Sequence, residues 1–167
     1  MNTAAGFAAY NLINTEDLPD NAKIMTQRGD ILVSTVRPNR GAVAILEDDG
    51  LLVSGAFTVL REHKAGTYKK EVLQVLLRSE IYRDWLLRYN VGTSYPVIKN
   101  DDVLNMPIPL LPRDVQREIS EKVQESFELR RKAEKLIETA VKAVEIAIER
   151  DEVAAVGWLN AETESII

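Results

Sequence analysis

Three short stretches of this chain carry side chains suited to gripping a polyanion or reading hydrogen-bonding edges. In Arg37-Pro38-Asn39-Arg40-Gly41, two arginines and an asparagine share a proline-stiffened tip. Arg and Asn make bidentate contacts to guanine and adenine edges. The same residues also read simply as a turn closed by Gly41. A second stretch places Lys64, Thr67, Tyr68, Lys69 and Lys70 in a loop that leads into a helical pattern. Loop tips reach a phosphate more easily than scaffold helices do, so phosphate contact competes with a solvated loop. The third, Gly92-Thr93-Ser94-Tyr95, presents hydroxyls from Thr93, Ser94 and Tyr95, which suit either phosphate contact or the shaping of a loop.

Catalytic constellations are harder to assemble. The chain has one histidine, His63, and no cysteine. A lone histidine beside a lysine in a loop reads as a solvated side chain, since metal binding or base catalysis needs partners that the sequence does not supply. Neither a nucleophile–base pair, nor an Asn-Pro-Pro-Tyr or Asp-Pro-Pro-Tyr methyltransferase signature, nor a glycine-rich cofactor loop emerges. The expectation is a chain that is not an enzyme and holds no metal or cofactor. The absence of cysteine suits a reducing compartment. The first twenty residues have neither a basic start nor a long apolar core, and no apolar run approaches a bilayer span, so a cytoplasmic location is expected.

The formal net charge is −5, from 21 basic and 26 acidic residues. That argues against indiscriminate nucleic-acid binding, which depends on neutralising phosphates. The distribution is uneven, however. Residues 61–112 hold 8 basic against 6 acidic groups, whereas the segments on either side are net acidic.

The elements that must position these residues fall into two kinds. Residues 1–22 are dense in turn-formers, with a short helix or strand expected over 5–13. The run from Ile31 to Val36 is β-rich and apolar on both faces, and reads as a central strand. Ala42–Leu46 and Leu51–Ser54 flank Glu47-Asp48-Asp49-Gly50, with Asp-Gly at the turn, and predict a β-hairpin. Gly55 reads as a bulge or close approach within the second run, and Phe57–Leu60 continues as strand. Leu73, Leu76, Leu77 and Ile81 mark an amphipathic helix that continues towards Trp85, Leu86 and Tyr89. Pro107, Pro109 and Pro112 then force an extended joint, and Pro112 suits the start of a helix.

From Pro112 to about Glu152 the pattern is helical throughout. Ala133, Ile137, Ala140, Val144 and Ala147 step by four and three, preceded by Ile119 and Val123 and widened by Leu129, Leu136 and Ala143. Glu118–Lys122, Glu128–Lys132 and Glu138–Lys142 are i,i+4 pairs in the favourable orientation. About 40 residues make a rod of about 60 Å, which cannot bury its stripe on so small a core. A partner helix is required, so an oligomer or a heteromeric complex is expected. The fold class is α+β: a compact mixed α/β domain followed by one long C-terminal coiled-coil helix. Residues 153–167 read as a tail, either a short docking segment carrying Trp158 or disordered.

Several of these stretches also carry a family resemblance. Gly29-Asp30-Ile31-Leu32-Val33-Ser34, Leu52-Val53-Ser54-Gly55-Ala56-Phe57, Gly92-Thr93-Ser94-Tyr95-Pro96-Val97-Ile98 and Ile108-Pro109-Leu110-Leu111-Pro112 with Gln116 and Ile119 occur in that order. Together they resemble the target recognition domain and spacer helix of DNA-specificity subunits of type I restriction-modification systems. The resemblance covers roughly residues 23–148.

It implies a non-catalytic subunit in which each recognition domain reads half of a bipartite site in double-stranded DNA. Long antiparallel helices separate the domains and hold methyltransferase subunits, and in full systems the restriction subunits. S-adenosylmethionine, Mg and ATP would be bound by those partners. Mapped here, residues 1–111 are the recognition domain, 112–152 the spacer helix and 153–167 the tail. With one copy of each unit the chain resembles a half-subunit or a fragment, and two copies could pair through the helix. An alternative of another class is a coiled-coil scaffold whose head no longer binds DNA.

Overall fold

The computed structural model describes residues 6, 8, 14–17, 20, 22–63, 66, 68–90 and 95–166. The chain divides into two compact units, residues 1–120 and 121–167. The first begins with β1 (Ala22–Met25), β2 (Ile31–Ser34) and β3 (Val43–Ile45), followed by β4 (Leu52–Ser54) and β5 (Phe57–Leu60). Helices α1 (Lys70–Arg78), α2 (Glu80–Leu87) and α3 (Asn100–Leu104) follow, and then α4 (Arg113–Glu149) starts. Two short 3-10 turns lie at Thr15–Asp17 and Pro38–Arg40.

The central strand is where its composition places it. β2 lies between β3 and β5, antiparallel to both, with Ile31 opposite Ile45 and Leu60. Ile31, Leu32 and Val33 are buried, as the absence of any polar face in this run requires. Val43, Ala44, Ile45 and Leu46 complete the same core with Val72, Leu77 and Leu86 from the helices.

The expected hairpin is not formed. β3 pairs with β2, whereas β4 pairs with β1 in a separate two-stranded sheet. The turn at Asp48-Asp49-Gly50 is captured by the end of β1 instead of joining its flanking strands. Gly50 N–H donates to the Thr26 carbonyl, Asp49 accepts from the Arg28 N–H, and both the amide and the hydroxyl of Thr26 bond to Leu51 O. Gly55 lies in the turn that joins β4 to β5 and is not a bulge within one strand. The irregularity in that sheet falls in β1, between Ala22 and Ile24.

The amphipathic helix is broken at Ser79 into α1 and α2, and its buried face is rotated from the leucine stripe. Glu71, Val72, Gln74 and Leu77 are buried, while Ile81 is 78% exposed. The polar members are tied down by distant partners: Glu71 accepts from the Ser120 hydroxyl, and the Gln74 amide donates to Gly6 O. α3 was not legible in the sequence. Its first turn is fixed by the Lys99 N–H donating to Asp102, and it packs on β5 through the Thr58 hydroxyl donating to Asn100.

The proline-rich joint forms neither helix nor strand, and α4 starts at Arg113. Its first turns belong to the first unit because Gln116 is buried there. The Gln116 side-chain oxygen accepts from the Lys69 N–H at the head of α1, and its amide donates to Leu111 O. Gln116→Ala removes both bonds and leaves the Lys69 N–H without that acceptor. A loss of about 2 kcal/mol is expected, read as a melting temperature several degrees lower with helix content unchanged.

In the second unit α4 continues as one helix, 37 residues in all, and α5 (Glu152–Ile166) follows after a two-residue break. The segment read as a tail is therefore helical. Asp151 accepts from the Ala154 N–H and caps it, a signal that Gly157 obscures in the sequence. Thr139, Ala143 and Ala155 are buried. Lys122–Glu125, Arg130–Glu134 and Lys142–Glu145 are paired along the exposed surface.

Candidate nucleic-acid interface

The turn after β2 is built with more constraint than an ordinary surface loop. Arg37 has φ 51° and ψ 56°, the one non-glycine residue with positive φ among the described residues. That conformation costs an L-residue with a long side chain of order 1–3 kcal/mol. It is held from both sides. The Arg37 N–H donates to Pro96 O at 2.8 Å, the Arg40 N–H donates to Arg37 O, and the Gly41 N–H donates to Pro38 O. Pro38 is buried, whereas Asn39 and Arg40 are exposed to solvent.

Two of the sequence-selected stretches meet here. A bridge between Val36 and Val97, with the Ile98 N–H donating to Thr35 O, lays residues 95–98 beside residues 35–37. The Arg37 guanidinium sits 4.5 Å from the centroid of the Tyr95 ring, a cation–π contact that restrains the side chain without consuming its donors. Arg37, Asn39, Arg40 and Tyr95 thus form one surface, with Tyr95 half exposed. Thr93 and Ser94 lie outside the described residues.

A further arginine, not singled out in the sequence, stands behind this turn. α2 packs against the 3-10 turn, and a side chain at Gly41 would meet Arg83 Cδ at 3.1 Å. The Arg83 Nε is buried without a hydrogen-bond partner among the described residues.

The second basic stretch is at the other end of the sheet. Lys69 and Lys70 are exposed at the start of α1. Tyr68 is half-buried and its hydroxyl donates to Pro109 O at 3.1 Å, while burial pushes its pKa up. Lys64 and Thr67 fall outside the described residues. Gly29 and Asp30 precede β2 near this end and Arg37 follows it at the other, so the two clusters lie at opposite ends of that strand.

Asp30 anchors the near end. It is buried, with Arg61 Nε and a terminal guanidinium nitrogen donating to its two oxygens at 2.8 and 2.7 Å and the Gln27 N–H at 2.8 Å. Burial pushes the carboxyl up. The hydrogen bonds from Arg61 and Gln27 and the Arg61 charge outweigh it and hold the pKa below 3.8. The unfolded state therefore binds the proton more tightly, and the stabilisation is complete above the ordinary carboxylate range and lost as pH falls through the lowered value. Arg61 is 46% exposed, so solvent weakens the pair. Asp30→Asn should cost about 1–2 kcal/mol at neutral pH. In melts from pH 7 to pH 2 the difference from the unaltered chain should shrink below about pH 4.

No family model matches the chain. Over 117 residues, 68% of its length, it is 28% identical to the HindI type I restriction enzyme specificity subunit of Haemophilus influenzae, of which it covers 25%. The crystal structure of the HsdS subunit from Thermoanaerobacter tengcongensis superposes with a TM-score of 0.62 and 30% identity. That match takes in 88% of this chain and 39% of HsdS. A chain from a structure of the type I R-M system, concerned with its complex assembly and conformational transition, gives a TM-score of 0.65 at 30% identity, over 86% and 39%. Over most of its own length the chain is similar in sequence and fold to type I specificity subunits. It spans about a quarter of the curated specificity subunit and about two-fifths of the solved ones. The shared fold is the mixed α/β unit with its long helix. The Gln116 stretch that carried part of the resemblance serves to latch α4 to α1. Among the described residues no group of three or more His, Cys, Asp and Glu side chains could hold a metal ion, and no helix is long and apolar enough to cross a membrane.

Proposed function

We propose that this chain is a DNA sequence-recognition subunit of a type I restriction-modification system, reading half of a bipartite site in double-stranded DNA. The observation that carries the reading is the joining of Arg37, Asn39 and Arg40 to Tyr95, residues from distant parts of the chain, on one held and strained turn. Such strain persists where surrounding structure over-determines it, and it presents planar donors suited to base edges at fixed positions. The long helix docks methyltransferase subunits and pairs with a second copy, giving two recognition domains about a two-fold axis. Chemistry belongs to the partner subunits: methylation draws on S-adenosylmethionine, and cleavage by the restriction subunits on Mg and ATP. The chain itself is non-catalytic and cytoplasmic.

Selection from a pool of random duplex DNA, with the chain alone and with its methyltransferase subunits, tests this directly. Enrichment of a bipartite palindromic site by a dimer of the chain is the expected result. A dimer that enriches no sequence, even with the methyltransferase subunits present, leaves the scaffold reading, which the exposed apolar face of the second unit favours.

A further inference from the structure

Between the turn Gln27–Ile31, the end of β5 and the start of α1 lies a cavity of about 480 Å³. Its lining has two kinds of wall. Arg28, Arg61 and Lys70 supply three cations against Asp30 and Glu62, while Ile31, Leu60, Leu73 and the Tyr68 ring supply an apolar side. The charges are not equivalent. Arg61 is spent on Asp30, which it meets with two hydrogen bonds, so that pair contributes a fixed, nearly neutral rim. Lys70 and Arg28 are exposed and available to a ligand.

Gly29 forms the floor where these groups converge. Its φ of +91° is a conformation that L side chains rarely adopt, and a Cβ there would meet the Lys70 ammonium at 3.3 Å. The absence of a side chain thus lets Lys70 lie over the backbone and inside the cavity instead of extending away. The floor is rigid, because the Gly29 N–H donates to Leu46 O, the Asp30 N–H to Gln27 O and the Arg28 N–H to Asp49.

A ligand matching this lining has one anionic group beside a compact apolar body. We infer that the cavity is a seat for the sugar–phosphate backbone of bound DNA, with the phosphate between Lys70 and Arg28 and the deoxyribose against Ile31, Leu60, Leu73 and Tyr68. The inference rests on the DNA-recognition reading above and adds to it a sequence-independent anchor. That anchor lies at the opposite end of β2 from the Arg37 turn. A backbone contact so placed sets register and orientation, and carries no sequence information itself.

The test uses the full chain, with its methyltransferase subunits where DNA binding requires them, and compares Lys70→Gln and Arg28→Gln with the unaltered protein. Affinity is measured against the selected site and against an unrelated duplex over a series of salt concentrations. Each variant should bind both duplexes roughly tenfold more weakly, with the salt slope reduced by about one phosphate and the selected sequence unchanged. Replacing single phosphates by neutral methylphosphonates should identify one position whose neutralisation weakens the unaltered protein but adds little to Lys70→Gln.

If the unaltered protein binds its site while both variants keep its affinity and salt slope, the seat is refuted and DNA recognition stands. A change confined to the sequence preference would also refute it, since that marks base reading. If the unaltered protein binds no DNA under any of these conditions, the recognition reading fails and the seat falls with it.

Discussion

Replacing Ile137 and Val144 together by glutamate is expected to convert a dimer into a monomer while leaving the helix intact. Ile137, Val141, Val144 and Ile148 are spaced by four, three and four residues and so share one face of α4. They are 65%, 56%, 60% and 80% exposed, respectively. Four branched apolar side chains in a row on one helix face are not scattered surface residues of the ordinary kind. Burying one such side chain stabilises by about 1.5–3 kcal/mol, so losing two and placing charges in the seam should raise the dissociation constant by more than about a hundredfold. Glutamate is a good helix former, and neither position is buried within the chain, so circular dichroism should show unchanged helix content. Light scattering across a concentration series separates the outcomes. A double variant that remains dimeric would place the self-association surface elsewhere.

Ile137 and Val144 on that face were legible because their information is local. From Pro112 to about Glu152 the period is helical, with neither glycine nor proline after Pro112 in that span, and a pattern of that length leaves no competing assignment. The stripe built on Ala133, Ile137, Ala140, Val144 and Ala147 does include exposed members, Ile137 and Val144. It passes over Val141 and Ile148, which the structure adds to the same face. β2 was equally plain, since Ile31-Leu32-Val33 has no polar side to give to water.

What failed was everything decided by distant partners. Asp48-Asp49-Gly50 has the composition of a hairpin turn, yet β3 is claimed by β2 and β4 by β1. No local signal reports which strand an edge will find. Glu71 and Gln74 read as the polar side of a helix and are buried because their partners, 49 and 68 residues away, satisfy them. The interface followed the same division. Residue type picked out Arg37, Asn39 and Arg40 as one tip and Tyr95 in another stretch, but only the bridge from Val36 to Val97 makes them one surface. Arg28 and Arg61 carry no signal of their own, because a single charge beside a turn resembles any solvated charge until a cavity gathers several.

The strained turn supplies the sharpest prediction about recognition. Arg40→Ala should weaken binding to the selected site by roughly ten- to a hundredfold and relax the preference at one base position, since one bidentate pairing with a base is worth about 1–3 kcal/mol. Affinity for unrelated duplexes should fall far less. Arg37→Gly sets stability and function against each other. Glycine adopts φ near +51° without the steric cost that Arg37 bears, and the cation–π interaction with Tyr95 that the variant gives up is worth about 0.5–1 kcal/mol at an exposed site. The variant should therefore fold with unchanged or slightly raised stability while losing at least roughly tenfold in affinity for the selected site. An arginine held in a left-handed conformation at a cost to folding is accounted for by what its side chain contacts. If Arg37→Gly melts several degrees lower and binds the selected site as well as before, the arginine is structural, and base reading must come from Asn39 and Arg40 without it.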